Sequence, residues 1–283
     1  MRSRVTEKIY QQKMNQILDY ISANLHQPLH LDVLAGRIHV SQRQLLRIMH
    51  SGLNESLSSY IARQRVERAV MYMQTEDISL TKLAGMVGYD NPQSFSKAFK
   101  KQFGISPKKY MNELQAKLER SLKSSGNRQN RLCSEICEED DLELVYIRIF
   151  GKYGEDEPYK TAWNKLICFL NEHQALSEVT RYIGISFDDP NVTKHEQCRF
   201  YACASVQKKI APTGEFATIQ LQRGKYAVYM LKGSYSGLQE LYNNITVNFD
   251  YTLRHGMAFE EYINSPQNTK EEELLTKIFI PIK

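Results

Sequence analysis

Apolar residues recur at helical spacing through roughly the first 114 positions and mostly at strand spacing after about residue 142. Tyr10, Met14, Ile17, Leu18, Ile21 and Leu25 fall on one face, which predicts a helix over about residues 7–25 that Pro28 ends. The hexapeptide Leu31-Asp32-Val33-Leu34-Ala35-Gly36 then returns 49 residues later as Leu80-Thr81-Lys82-Leu83-Ala84-Gly85. In each copy a short turn and a second amphipathic helix follow. The small residues Ala35 and Ala84 suit a helix that another helix crosses closely, the geometry of a helix-turn-helix. In the first copy Ser41 and Gln44 have the spacing of a capping box. The helix over 42–50 turns Leu45, Ile48 and Met49 inward and Gln42, Arg43, Leu46 and Arg47 outward. In the second, Asn91 caps, Pro92 occupies a first-turn position and Gly104 closes a helix. There Phe95 and Phe99 point inward and Gln93, Ser96, Lys97 and Lys100 outward. One long helix over 57–74 joins the copies. The arrangement predicts an all-α domain over residues 1–114 with two helix-turn-helix units.

Periodicity fades over residues 115–141, where a Ser-, Asn- and base-rich run and the acidic run 138–141 read as a flexible linker. Beyond it the pattern predicts strands at 142–150, 182–187 and 199–206 with a helix around 161–170. Further strands follow at 217–221, 226–231, 258–263 and 275–282, with a helix over 237–253. Gly151-Lys152-Tyr153 matches Gly233-Ser234-Tyr235 at equivalent turns, 82 residues apart. Residues 142–283 are therefore expected to form an α+β domain of duplicated strand-helix-strand-strand modules, with a cleft between the halves.

Charge sharpens this division. Residues 1–131 hold 21 Lys and Arg against 10 Asp and Glu, whereas residues 132–283 hold 16 against 22. A basic half joined to an acidic half points to different partners, the first a polyanion. The odd count of five cysteines, with no C-x-x-C pair, points to reduced thiols rather than a metal site or disulfide framework. No cofactor is implied. No apolar run reaches membrane-spanning length and no apolar stretch follows Arg2 and Arg4, so no membrane contact and a cytoplasmic, nucleoid-associated protein are expected.

The outward residues suit double-stranded DNA. Arg43 and Arg47 offer guanidinium forks to guanine, and Gln42 or Gln93 can read adenine. The lysines suit phosphates, which add affinity with little sequence discrimination. The alternative is a solvated face of a helical scaffold; two matched units weigh towards DNA. In the second half, period two puts Glu260 and Tyr262 on one sheet face and Glu261 on the other. A carboxylate among aromatic rings can hold an organic cation, or can simply be paired or solvated.

The run Gly88-Tyr89-Asp90-Asn91-Pro92-Gln93-Ser94-Phe95-Ser96-Lys97-Ala98-Phe99-Lys100-Lys101-Gln102-Phe103-Gly104-Ile105-Ser106-Pro107-Lys108-Lys109-Tyr110 closely resembles the signature of the AraC/XylS transcription regulators. The resemblance covers about residues 5–113. It implies a monomeric DNA-binding unit whose two reading helices enter successive major-groove segments. Gln42, Arg43, Leu46 and Arg47 match the first reader, and Gln93, Ser96, Lys97 and Lys100 the second. Leu46 departs from the polar residue often found there, which favours contact with a thymine methyl.

Asp188-Asp189-Pro190, Arg199-Phe200-Tyr201-Ala202-Cys203, Phe259-Glu260-x-Tyr262-Ile263-Asn264 and Thr276-Lys277-Ile278-Phe279-Ile280-Pro281 resemble the GyrI-like, or SbmC-type, effector-binding domain. That resemblance implies a small-molecule pocket with Glu260 at its inward acidic position, and makes Tyr262, Trp163 and Tyr201 candidate ligand contacts. The domain order is similar to the Rob-like branch of the AraC regulators.

The leading expectation is a transcription regulator, an activator by family habit, that binds promoter DNA and answers a small amphipathic or cationic ligand, as in multidrug or stress responses. RNA polymerase is the implied protein partner. Two other readings stay open: a GyrI-like small-molecule hydrolase using Glu260 and Tyr262, and a protein-interaction domain with an empty cleft. Against turnover, the chain has no G-x-S-x-G, zinc triad or phosphate loop, and no catalytic residue is assigned.

Overall fold

The structure, a computed structural model, describes residues 2–53, 55–75, 78–124, 134–154, 156–190, 192–254 and 256–283. Cys133, His255 and positions 125–133 of the expected linker lie outside the described residues. The chain divides into two compact units, Met1–Gly126 and Asn127–Lys283.

Seven helices are described in the first unit: α1 (Arg2–Ala23), α2 (Leu31–Arg37), α3 (Gln42–Leu53), α4 (Leu57–Thr75), α5 (Leu80–Met86), α6 (Pro92–Phe103) and α7 (Pro107–Ser124). The sequence repeat is also a backbone repeat. After α2, His39 N–H donates to the Gly36 carbonyl and Val40 N–H to Ala35; after α5, Gly88 N–H donates to Gly85 and Tyr89 N–H to Ala84. Both turns pass through the left-handed region, at His39 (φ 52°) and Gly88 (φ 86°). Leu34 and Ala35 are buried beneath one turn and Leu83 and Ala84 beneath the other, as close helix crossing requires.

Polar side chains on α4 hold the two repeats in register. Arg63, 7 % exposed, lies 2.6 Å from Glu55 and 3.1 Å from Glu67. Burial opposes its charge, but the Glu55 hydrogen bond and the two carboxylates outweigh it and raise its pKa. Glu67 also accepts from Gln64 and, across the repeat, from Gln102 of α6. On another face of α4, Arg65 donates to the Leu25 and Gln27 carbonyls and Arg68 to the Ser22 carbonyl. These bonds satisfy carbonyls at and beyond the end of α1, which have no partner within that helix.

The second unit contains β1 (Glu135–Glu139), β2 (Leu142–Phe150), α8 (Asp156–Glu172), β3 (Tyr182–Ser186), β4 (Arg199–Ser205), β5 (Phe216–Leu221), β6 (Gly224–Lys232), α9 (Leu238–Asn248), β7 (Phe259–Tyr262) and β8 (Leu275–Pro281). One antiparallel sheet runs β1-β6-β8-β7-β3-β4-β2-β5. The duplicated strand-helix-strand-strand modules are present, each preceded by one more strand. That leading strand is exchanged: β1 pairs with β6 of the other module, and β5 with β2.

Only residues 140 and 141 separate β1 from β2, although β1 is at one end of the sheet order and β2 is next to the other. So short a link spans no more than about 11 Å, so the sheet must curl until its ends meet. The link over 222–223 repeats the demand, and Asp141 accepts from the Arg223 N–H at 2.7 Å, joining the two links. The inner face buries Tyr146, Tyr201, Tyr226, Phe259 and Phe279. The outer face carries α8 over one half through Leu166 and Leu170, and α9 over the other through Leu241 and Ile245.

The expected linker over 115–141 is overlapped at both ends by regular structure. Helix α7 continues to Ser124, and β1 begins at Glu135. The acidic run 138–141, expected to be flexible linker, is in part strand. Glu139 in fact meets Arg181, which also grips Glu261 at 2.7 and 2.9 Å, and backbone pairing to β6 fixes the strand. Helix α9 stops at Asn248 rather than 253. Phe249 takes an extended conformation, and Phe249 and Tyr251, two apart, both pack on the outer core.

Gly88→Ala should lower the stability of the first unit by more than about 1 kcal/mol, because φ is positive and a Cβ would lie 2.2 Å from the Leu25 carbonyl. His39→Gly should be neutral or stabilise it by up to about 1 kcal/mol, since the exposed His39 holds the same strained conformation. Urea unfolding midpoints of the full chain check both.

Candidate functional site

The two predicted reading helices have matching construction with different details. In α6 the Asn91 side chain accepts the Ser94 N–H at 2.8 Å, Pro92 fills the first turn, and Gly104 (φ 74°) closes the helix. Phe95 and Phe99 are fully buried in a line of ring contacts from Tyr89 to Tyr110. In α3 the Ser41 hydroxyl accepts the Gln44 N–H at 3.2 Å. The second half of the expected capping box is not made: the Gln44 amide donates to the Tyr10 hydroxyl of α1 instead. A phenol within reach supplies a partner without bending the side chain back. Leu45, Ile48 and Met49 are buried.

Gln42, Arg43, Leu46 and Arg47 of α3 and Gln93, Lys97 and Lys100 of α6 are exposed, while Ser96 is half-buried. Both helices thus present a largely polar face to solvent, and Leu46 stands exposed in the middle of the first. Arg47 is not free-swinging. Its Nη2 donates to the Tyr10 hydroxyl at 2.7 Å.

In the second unit, strand alternation decides which candidates meet. Glu260 and Tyr262 of β7 project to the outer, helix-bearing face, while Phe259 and Glu261 project inward. Glu260 is 4 % exposed. Its two oxygens each accept a phenol: Tyr242 of α9 at 3.1 Å and Tyr262 at 2.7 Å. Trp163 of α8 meets Tyr262 edge-on at 5.6 Å and Tyr182 at 6.3 Å, and Tyr235 meets Tyr262 at 5.4 Å. Residues from both helices and both modules therefore converge on one buried carboxylate. The rings of Trp163, Tyr182, Tyr235, Tyr242 and Tyr262 are each only partly buried.

Tyr201 is not among them. On β4 it shares the inner face with Cys203, stacks on Tyr146 at 4.2 Å and accepts from Arg148. Resemblance supplied its motif, but one step of strand parity puts it on the far side of the sheet from Glu260. Tyr235 and Tyr242 were not singled out by sequence reasoning. Tyr235 was nonetheless signalled by its match to Tyr153 across the repeat, and Tyr242 lies two helical turns further on.

The site sits on the strand pair that joins the modules, where Glu260 is the register partner of Gly184. A Cβ on Gly184 would lie 2.5 Å from the Tyr262 hydroxyl and 2.7 Å from the Phe200 ring. The duplication thus keeps a carboxylate on one side of the seam and empties the other to admit the phenol.

Burial pushes the Glu260 carboxyl up, and the hydrogen bonds from Tyr262 and Tyr242 only partly offset it. Burial and the adjacent carboxylate raise the Tyr242 and Tyr262 phenols well above their usual range, so they stay protonated and donate. Among the described residues no lysine or arginine pairs with Glu260. The arrangement sets an ionisable carboxyl among ring faces with no lysine or arginine beside it, a combination that can attract a cation when the carboxyl is charged. Among the described residues no group of three or more His, Cys, Asp or Glu could hold a metal ion, and no helix is long and apolar enough to cross a membrane.

Because the folded state raises this carboxyl, it holds the proton longer than the unfolded chain does. Its contribution to stability must fall as pH rises from the unfolded value of about 4.3 through the higher folded one. Glu260→Gln removes that loss. Melting curves of the two proteins should agree near pH 4 and separate as pH rises, with the variant the more stable.

Residues 134–283 match the family of the GyrI-like small molecule binding domain, and residues 34–113 match a helix-turn-helix domain. YkgA of Escherichia coli, named as an HTH-type transcriptional regulator, is 32 % identical over 104 residues, 37 % of this chain and 44 % of YkgA. Regulatory protein SoxS of Salmonella typhimurium is 28 % identical over 105 residues, 37 % of this chain and 98 % of SoxS. The chain therefore spans less than half of YkgA's length but nearly all of SoxS. Among solved structures, EcmrR in a DNA complex covers 89 % of this chain and 98 % of its own at 14 % identity, with a TM-score of 0.44. The chain belongs to the GyrI-like small-molecule-binding family, and it carries that domain behind a helix-turn-helix domain of the AraC type.

Proposed function

We propose that the chain is a DNA-binding transcription regulator whose second unit senses a hydrophobic, positively charged small molecule. One observation carries the DNA part: two helices related by a sequence and backbone repeat each bury an apolar stripe and present a basic or amide-bearing face to solvent. A scaffold has no need of such a face twice, whereas successive major-groove segments do. The faces are unequal. Arg43 and Arg47 on α3 suit base edges, and Lys97 and Lys100 on α6 suit phosphates, so the site is asymmetric, with α3 supplying most of the discrimination.

Names of the matched relatives agree with regulation rather than turnover. Glu260 supports ligand sensing because it is buried, held by two neutral phenols and surrounded by ring faces on elements from both modules. A ligand there touches α8 and α9 together, which lets occupancy favour one arrangement of the unit over another. Activation of a promoter, with RNA polymerase as partner, is the output this reading assigns.

Fluorescence anisotropy with a preferred duplex and a scrambled duplex tests the DNA assignment. Arg43→Ala should lose about 1–3 kcal/mol on the preferred duplex and little on the scrambled one, while Lys100→Ala should weaken both alike and reduce the salt dependence. Unchanged binding by both variants would remove the assignment.

A further inference from the structure

Helix α1 lies ahead of the residues that match the helix-turn-helix family, yet it is docked along the first reading helix. Tyr10 meets Gln44 and Arg47, Lys13 donates to the Ile38 carbonyl at the end of α2, and Met14 fills the space that Gly52 leaves. A Cβ on Gly52 would lie 2.2 Å from the Met14 sulfur. One face of α1, from residue 10 to residue 14, is therefore pinned beside α3, with its hydroxyl-bearing end beside the outward face.

At that end two donors converge on one oxygen. Arg47 Nη2 is 2.7 Å and Gln44 Nε2 3.3 Å from the Tyr10 hydroxyl, and the guanidinium carbon lies 5.8 Å from the ring centroid. An exposed arginine ordinarily samples many rotamers, and fixing it on binding costs affinity. Arg47 is already held by one nitrogen, with its other N–H groups left for a base edge. Arg43, one turn earlier on the same face, has no hydrogen-bond or ion-pair partner among the described residues.

We infer that Tyr10 is a positioning residue for DNA recognition, which fixes the Arg47 guanidinium before binding and so sets the sequence preference at the base pair Arg47 contacts. This rests on the assignment of α3 as a DNA reader. Tyr10 does not itself touch a base; it acts through Arg47. Arg43 and Arg47, alike in chemistry, thus contribute differently: the first adapts to its target, the second arrives aimed.

The test selects from a random-sequence duplex library with the full chain, then measures single-base-pair preferences for wild type, Tyr10→Phe, Arg47→Ala, Arg43→Ala and the Tyr10→Phe/Arg47→Ala double variant. Tyr10→Phe removes one hydroxyl from a half-exposed ring, and its unfolding midpoint is recorded alongside. The expected result is a loss of about 3- to 10-fold in preference at the base pair that Arg47→Ala abolishes, the size of the ordering cost of one long side chain no longer fixed before binding. The preference read by Arg43 should be unchanged, and the double variant should behave as Arg47→Ala alone. Four results overturn the inference. The first is Tyr10→Phe matching wild type while Arg47→Ala loses preference, and the second is Arg47→Ala altering no base preference. The third is losses that add in the double variant, which makes Tyr10 a general support of the fold. The fourth is a wild type that enriches no sequence, in which case the assignment of α3 as a DNA reader fails first and the inference with it.

Discussion

A carboxylate taken out of water with no cation beside it is the constraint around which the second unit is arranged. An isolated buried carboxylate is strongly unfavourable, and a protein meets the difficulty by protonating it, pairing it or hydrogen-bonding it. Here the fold supplies two phenols, one from α9 and one from the same strand, and pushes the carboxyl up besides. That solution depends on the duplication. The two modules must meet at β3 and β7, Gly184 must leave room for the Tyr262 hydroxyl, and α8 and α9 must each bring an aromatic to the seam. The exchange of β1 and β5 curls the sheet, so that one face closes on itself as core and the other is left to the helices and the site.

In the first unit the corresponding constraint is register between two helix pairs. Aliphatic and aromatic burial holds each pair together but is tolerant of small slides. The Arg63, Glu67 and Gln102 contacts are directional, and so specify one relation between α4 and α6. Removing Arg63 alone would strand two largely buried carboxylates, so this cluster is better regarded as a device for uniqueness than as net stabilisation. The same use of directional bonds recurs at Tyr10 and at the α1 carbonyls held by Arg65 and Arg68.

Much of this was legible in the sequence because it is periodic. Helical spacing located every element of the tandem repeat, and strand parity put Glu260 and Tyr262 on a common face. What failed shares a physical cause: partners distant in the chain. Nothing local says that Glu139 faces Arg181, so an acidic run looked like linker when part of it was strand. Nothing local says which face of β4 lies outward, so Tyr201 was grouped with residues on the opposite side of the sheet. Gln44 has the spacing of a capping box, but its amide reaches a phenol 34 residues away in the chain. Tyr242 became recognisable only once α9 was laid over β7.

Ligand sensing by the second unit, as proposed, turns on the Glu260 carboxyl answering a cation. Isotope-edited NMR of glutamate side-chain carboxyls, with Glu260 assigned by comparison with Glu260→Gln, follows its titration with and without a hydrophobic quaternary ammonium probe. A bound cation favours the charged form, so the apparent pKa should fall from its raised value when the probe is added, and by linkage the probe should bind more tightly as pH rises. A Glu260 titration that the probe leaves unmoved, or equally tight binding of an uncharged probe of the same shape, would contradict it.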